Sequence, residues 1–196
     1  TIEVPQAVEQ WISEETKLGN PTLTEKVAAT GDLELQQALD WSLAVNETVG
    51  KMVRGVPPFP GVRESLVQLE GQADMLVCSA TPNEALKAEW SEHGIDRYVE
   101  AICGQESGSK KETLSNAARY EPNHTLMIGD APGDCRAAQA NNCLFFPINP
   151  GDEEASWQRF LDEGISKFLN LEFAGDYQQQ LLDEFDKCLP AHPPWP

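Results

Sequence analysis

Leu126-Met127-Ile128-Gly129-Asp130-Ala131-Pro132-Gly133-Asp134 is the stretch on which the reading of this chain turns. An apolar run stops at Gly129-Asp130, a Pro-Gly turn follows, and Asp134 opens the alanine-rich segment from Cys135 to Ala140. The pattern predicts a buried parallel strand that delivers an acid from its carboxyl end straight into a helix. With the helix starting near Ala131, Asp130 and Asp134 stand four residues apart on one face. Two carboxylates converging at a strand end repel each other unless a proton or a cation lies between them. In an open α/β sheet that edge is where ligands bind. Oxygen ligands at a tight site favour magnesium over a softer metal. A helix-capping aspartate followed by a solvated acid also accounts for the pair.

Strand and helix alternate outward from this stretch. Asp74 to Cys78 reads as a buried strand, and Thr81 is expected to cap a helix with Pro82 at its first position, running to about His93. Val99 to Cys103 makes another strand, Ser109 to Tyr120 a helix, and Leu144 to Ile148 a fourth strand. The alternation predicts a parallel, doubly wound α/β sheet over residues 57–150. The Gly55 to Gly61 segment, with three prolines, is a stiff linker.

Residues 1–56 read as helical throughout. Val8, Trp11 and Ile12 share helical spacing in a helix that Gly19-Asn20-Pro21 is expected to end. Thr22 or Thr24 caps a short helix stopping at Thr30-Gly31. Asp32 caps a long one striped by Leu35, Leu39 and Leu43, then, after a shift of face, Val49, Met52 and Val53. In residues 151–196, Trp157, Phe160, Leu161, Ile165, Phe168 and Leu169 form one stripe, and Tyr177, Leu181, Leu182 and Phe185 another. Both are expected to pack on the sheet's helices. The proline-rich tail from Leu189 is expected to be extended.

Composition narrows the class. The 196 residues are 40% apolar and 23% charged, as in a globular protein. The net charge of −18 argues against nucleic acid or an anionic membrane as partner, since either needs a basic face. It leaves room for a small phosphorylated substrate held by a few placed cations and a metal ion. No apolar run approaches the roughly 18 residues of a membrane span. Cys78, Cys103 and Cys143 lie in apolar, strand-like runs and read as buried thiols, which points to a reducing cytoplasm.

Three strand ends carry polar groups that gain meaning together. Val77-Cys78-Ser79-Ala80-Thr81 places a hydroxyl and backbone N–H groups at a helix start, a phosphate-sized anion site or an ordinary turn. In Gly108-Ser109-Lys110-Lys111 a lysine at a helix start opposes the helix dipole, so it serves either an anion or solvent. The third is the Asp130/Asp134 pair. A hydrophobic strand ending in Ser79, Lys110 about thirty residues on, and Gly129-Asp130-x-x-x-Asp134 after another strand resemble the haloacid dehalogenase-like (HAD) hydrolase superfamily. The phrase from Pro57 to Leu66 is similar to the same superfamily, as is Phe145 to Gly151 with Glu153 to Trp157.

The resemblance implies a magnesium-dependent phosphohydrolase acting through an aspartyl-phosphate. In it, Ser79 matches the hydroxyl that binds the transferred phosphoryl group, with the N–H of Ala80. Lys110, preferred to Lys111 because Leu114 lies four residues after it, matches the lysine that neutralises phosphate charge. Asp130 matches the Mg2+ ligand, and Asp134 the acid that supports the metal site and orients the lysine. Residues 1–56 are similar to the helical cap many members carry. The resemblance also implies a central first strand ending in Asp-x-Asp, and residues 1–196 contain no such motif. Without that strand, the serine strand and the Gly-Asp strand would stand about twice the usual ~4.8 Å apart. A segment outside the chain, or a partner chain, is therefore expected to supply it. Phosphonate cleavage, phosphosugar mutase or dehalogenase chemistry, or non-catalytic binding of a phospho-ligand on the same fold, are the alternatives.

Overall fold

The computed structural model describes residues 4–15, 18–52 and 55–189. Val53 of the expected stripe and the tail beyond Leu189 lie outside them. Helices α1 (Gln6–Glu14), α2 (Asn20–Thr30) and α3 (Leu33–Met52) come first, with no strand among the described residues before position 76. Their shared core is Trp11, Leu23, Leu35 and Leu39. Asp32 Oδ1 accepts from the N–H groups of Glu34 at 2.9 Å and Leu35 at 3.1 Å, so it caps α3 as its position suggested. Asn20-Pro21, expected to end a helix, instead opens α2, with Pro21 in the first turn where a missing N–H costs nothing.

After α4 (Val62–Leu69) the chain alternates. Strand β1 (Leu76–Cys78) leads to α5 (Asn83–Glu92), then β2 (Ala101–Cys103) to α6 (Lys110–Ser115), β3 (Leu126–Gly129) to α7 (Pro132–Ala140), and β4 (Leu144–Pro147) follows. Pro82, not Thr81, is the residue before α5, and α6 tightens into a 3₁₀ turn over Asn116–Arg119 rather than running on to Tyr120. All pairing is parallel, but it falls into two separate sheets of two strands, β1 with β2 and β3 with β4.

The break lies between β1 and β3. Thr125 and Gly129 carbonyls accept from Leu144 and Ile148, so every second residue of β3 faces β4 and the backbone groups of Leu126 and Ile128 face the other way. On β1, Met75 and Ser79 bond the β2 side, which turns the backbone of Leu76 and Cys78 outward. Among the described residues no backbone hydrogen bond reaches the outward-facing N–H and C=O groups of those four residues. The far edge of β4 is treated differently. There the N–H of Phe145 donates to Gln178 Oε1 at 3.0 Å, from helix α10 (Asp176–Cys188), and the edge is covered.

The C-terminal helices build the main core on β3 and β4. Helix α8 (Glu153–Arg159) runs through a π-helical turn, Phe160–Gly164, into α9 (Ile165–Leu169). That turn brings Phe160 edge-on to Phe146, ring centroids 4.9 Å apart, with the Phe173 ring 6.2 Å from Phe146. Gly164 lets it happen, because a Cβ there would sit 2.7 Å from the Phe160 ring. Leu181 and Phe185 of α10 are buried with this core, as their spacing predicted.

Candidate active site at the carboxyl ends of β1 and β3

Gly129 and Asp134 explain each other. A Cβ on Gly129 would lie 2.5 Å from Asp134 Oδ2 and 2.6 Å from its Cβ, so only glycine allows the carboxylate to tuck under the strand end. Asp134 is the third residue of α7 and is 2% exposed. Its Oδ2 accepts from the N–H of Ala131 at 3.3 Å, at the positive end of the helix. Its Oδ1 accepts from Lys110 Nζ in an ion pair. A carboxylate this deeply buried needs such a partner to stay charged.

Lys110 reaches it from the first turn of α6. Ser109 caps that helix, its Oγ accepting from Glu112 N–H at 3.2 Å while Glu112 Oε2 accepts from Ser109 N–H at 2.7 Å. The cap fixes where α6 begins and hence where Lys110 points. Lys110's side chain keeps 31% exposure, so its ammonium has a buried side on Asp134 and an open side. Lys111 is exposed and makes no ion pair among the described residues.

Asp130 takes a different position from the one its spacing suggests. Ala131 is extended, at φ −120° and ψ 149°, so Asp130 precedes the helix and does not share a helical face with Asp134. It is exposed, and no hydrogen bond or ion pair engages it among the described residues. Magnesium takes oxygen donors, and Asp130 offers one outward carboxylate at the strand end. Asp134 is already committed to Lys110 and Ala131. No group of three or more His, Cys, Asp or Glu side chains able to hold a metal occurs among the described residues. The residues present fit magnesium in donor chemistry and supply part of a donor set.

Ser79 follows β1, its N–H donating to the Cys103 carbonyl at 2.9 Å and its Oγ accepting from Thr81 N–H at 3.1 Å. Ala80, next to it, is exposed. The start of α5 is not open as an anion site in the way its sequence suggests, because Glu106 Oε2 accepts from Asn83 N–H at 2.8 Å. Asn83 Oδ1 in turn accepts from Gly104 N–H at 2.6 Å, tying the loops after β1 and β2 together. Glu106 and Asn83 are contacts that sequence reasoning missed, and Gly104, the small residue next to Cys103, was their one signal.

Cys78 links the two halves of the site. Burial pushes its thiol up, while the Thr113 hydroxyl and the Lys110 charge pull it down and Asp134 adds to the upward push. The tip of β1 is therefore close enough to the Lys110–Asp134 pair to feel its charge. The structure brings Lys110 and Asp134 into contact, and places Ser79 directly after β1 and Asp130 directly after β3.

No helix among the described residues is long and apolar enough to cross a membrane. No curated protein and no solved structure matches the chain. The model of one family, haloacid dehalogenase-like hydrolase, matches residues 3–148. That span takes in the strand that precedes Ser79, the capped helix start that carries Lys110, and Gly129, beneath which Asp134 is seated. The chain belongs to the haloacid dehalogenase-like hydrolases.

Proposed function

We propose that this chain carries three of the four parts of a magnesium-dependent phosphohydrolase, and that a fifth strand outside residues 1–196 brings the fourth. The observation that supports the reading is the pair of unpaired edges on β1 and β3, with the charges of the Lys110–Asp134 ion pair acting on Cys78 at the end of β1. A strand seated there would hydrogen-bond to both edges and turn two small sheets into one doubly wound sheet. Its carboxyl end would emerge beside Ser79, Lys110 and Asp130, and the nucleophilic aspartate belongs at that end. In this reading residues 1–56 are part of a helical cap, 57–150 the core, and 151–196 a helical extension. The setting is cytoplasmic, with neither nucleic acid nor membrane as partner.

Ser79 Oγ and the N–H of Ala80 bind the phosphoryl oxygens of a small phosphate ester. Lys110, held by Asp134, turns its open side to the same oxygens and offsets charge as it builds in the transition state. Asp134 acts through Lys110 and is a positioning residue. Asp130 would hold Mg2+, which when bound neutralises phosphate charge and polarises a phosphoryl oxygen. The nucleophile's carboxylate oxygen attacks phosphorus, the alcohol leaves with a proton from an acid, and water then cleaves the aspartyl-phosphate to release phosphate.

The test is hydrolysis of p-nitrophenyl phosphate and a panel of small phosphate esters by protein that contains the fifth strand, with and without a chelator. Turnover is expected to need Mg2+ and to fall by orders of magnitude in Asp130→Asn and Lys110→Ala. Full activity in Asp130→Asn or in excess chelator overturns the metal assignment. Phosphate binding without turnover overturns the hydrolytic one.

A further inference from the structure

Cys78 and Cys103 stand directly opposite each other in the parallel ladder of β1 and β2. Registered residues on neighbouring strands point to the same face, so the two thiols lie side by side. Both are free and half-buried. Their proximity also shows in the electrostatics, where Cys103 is among the groups that act on Cys78. Adjacent strands put paired Cα atoms about 4.8 Å apart, inside the roughly 4.4–6.8 Å span a disulfide bridges. We infer that Cys78 and Cys103 are a dithiol oxidation site, closing to a disulfide at the mouth of the candidate active site when a peroxide is the oxidant.

The chemistry balances with the peroxide alone. One thiol loses its proton, its sulfur attacks a peroxide oxygen and hydroxide leaves, giving a sulfenic acid. The neighbouring sulfur then attacks the sulfenic sulfur and water leaves as the S–S bond forms. Two thiols give up two electrons and two protons, and hydrogen peroxide becomes two waters. In a parallel pair the Cα–Cβ bonds run alongside each other, so the Cβ atoms start farther apart than the ~3.8 Å a relaxed disulfide prefers. The bond pulls the strands together and is readily reduced, as labile disulfides are.

Two contacts connect this site to its surroundings. Thr113, buried on the otherwise partly exposed α6, is among the groups that act on the Cys78 thiol. Cys103 also holds Ser79 through its carbonyl. The inference does not rest on the proposed phosphatase, since the bond is read by mass and not by turnover.

The experiment oxidises the full chain with hydrogen peroxide, alkylates it under denaturing conditions and digests it with trypsin. Expected is the loss of two alkylation sites and a cross-linked peptide joining residues 64–87 to residues 98–110. Dithiothreitol should abolish it, and it should be missing from Cys78→Ser and from Cys103→Ser. Full alkylation of both cysteines after peroxide, over-oxidation of either without a cross-link, or pairing of either with Cys135, Cys143 or Cys188 overturns the inference. The wild-type digest alone decides it if a variant fails to fold.

Discussion

Replacing Gly129 with alanine tests the packing that positions Asp134. The added Cβ would lie 2.5 Å from Asp134 Oδ2, 2.6 Å from its Cβ and 2.8 Å from its Cγ, where ordinary contact begins at 3.4 Å. Rotating the carboxylate relieves only part of this, because the Asp134 Cβ is fixed by α7. The helix must move by several tenths of an ångström. Forcing a methyl into such a site costs about 1–3 kcal/mol. Moving Asp134 off Lys110 and Ala131 N–H weakens charge-assisted hydrogen bonds worth about 1.5–3 kcal/mol. The two effects share one displacement, so together they amount to about 2–4 kcal/mol. For a chain of this size that lowers Tm by roughly 5–15 °C. Gly133→Ala is the control, because its Cβ meets only Arg136 Nη2 at 3.8 Å, inside the first turn of the same helix. It should leave stability unchanged or raise it by up to about 1 kcal/mol. Urea and thermal melts of both variants read the difference. If Gly129→Ala melts with Gly133→Ala, Asp134 is not seated under Gly129, and the explanation of the Gly-Asp-x-x-x-Asp spacing fails.

Lys110→Met should lower both stability and phosphatase turnover in protein containing the fifth strand, while Lys111→Met should change neither appreciably. Equal losses in the two would show that the capped start of α6 does not select between them. Hydrogen bonding from Gln180, with the Arg159 guanidinium at 2.6 Å, holds the Glu184 carboxyl below the usual range against an opposing push from burial. A depressed carboxylate contributes stability above the unfolded value of about 4.3, lost as pH falls through the lower folded value. Melting curves over that acid range should therefore converge for wild type and Glu184→Gln, and curves that stay parallel would contradict the linkage. Phe146→Ala, which removes the ring that both Phe160 and Phe173 pack against, should cost about 3–5 kcal/mol. The exposed Val67→Ala should stay within about 0.5 kcal/mol.

The strands were legible because each is a short apolar run closed by a turn, and the stripe of aromatics after Gly151 announced the core it forms. Asp32 was readable as a cap, since a side-chain acceptor before a periodic segment has one common use, whereas Ser109, read as the first residue of a helix, is the cap before it. Asn20-Pro21 misled because the same dipeptide suits a helix start as well as an end. The face shared by Asp130 and Asp134 depended on one backbone angle, and Ala131 is extended rather than helical. Spacing cannot report that. Glu106 on the start of α5 and Cys78 opposite Cys103 are products of register and loop closure, fixed only once β1 and β2 pair. The break between β1 and β3 combines both kinds of information: the sequence shows no Asp-x-Asp strand, and the structure shows which edges go unpaired.

The proposal that a fifth strand delivers the nucleophile is tested most directly by trapping the phosphoenzyme. Protein containing that strand is given a phosphate ester, quenched, reduced with borohydride to convert an acyl-phosphate to homoserine, and mapped by mass spectrometry. One modified aspartate is expected, lying outside residues 1–196 at the end of an apolar segment, with the modification absent when substrate is withheld. Modification at Asp130, Asp134 or any other aspartate of this chain, or turnover with no acyl-phosphate trapped, would contradict it.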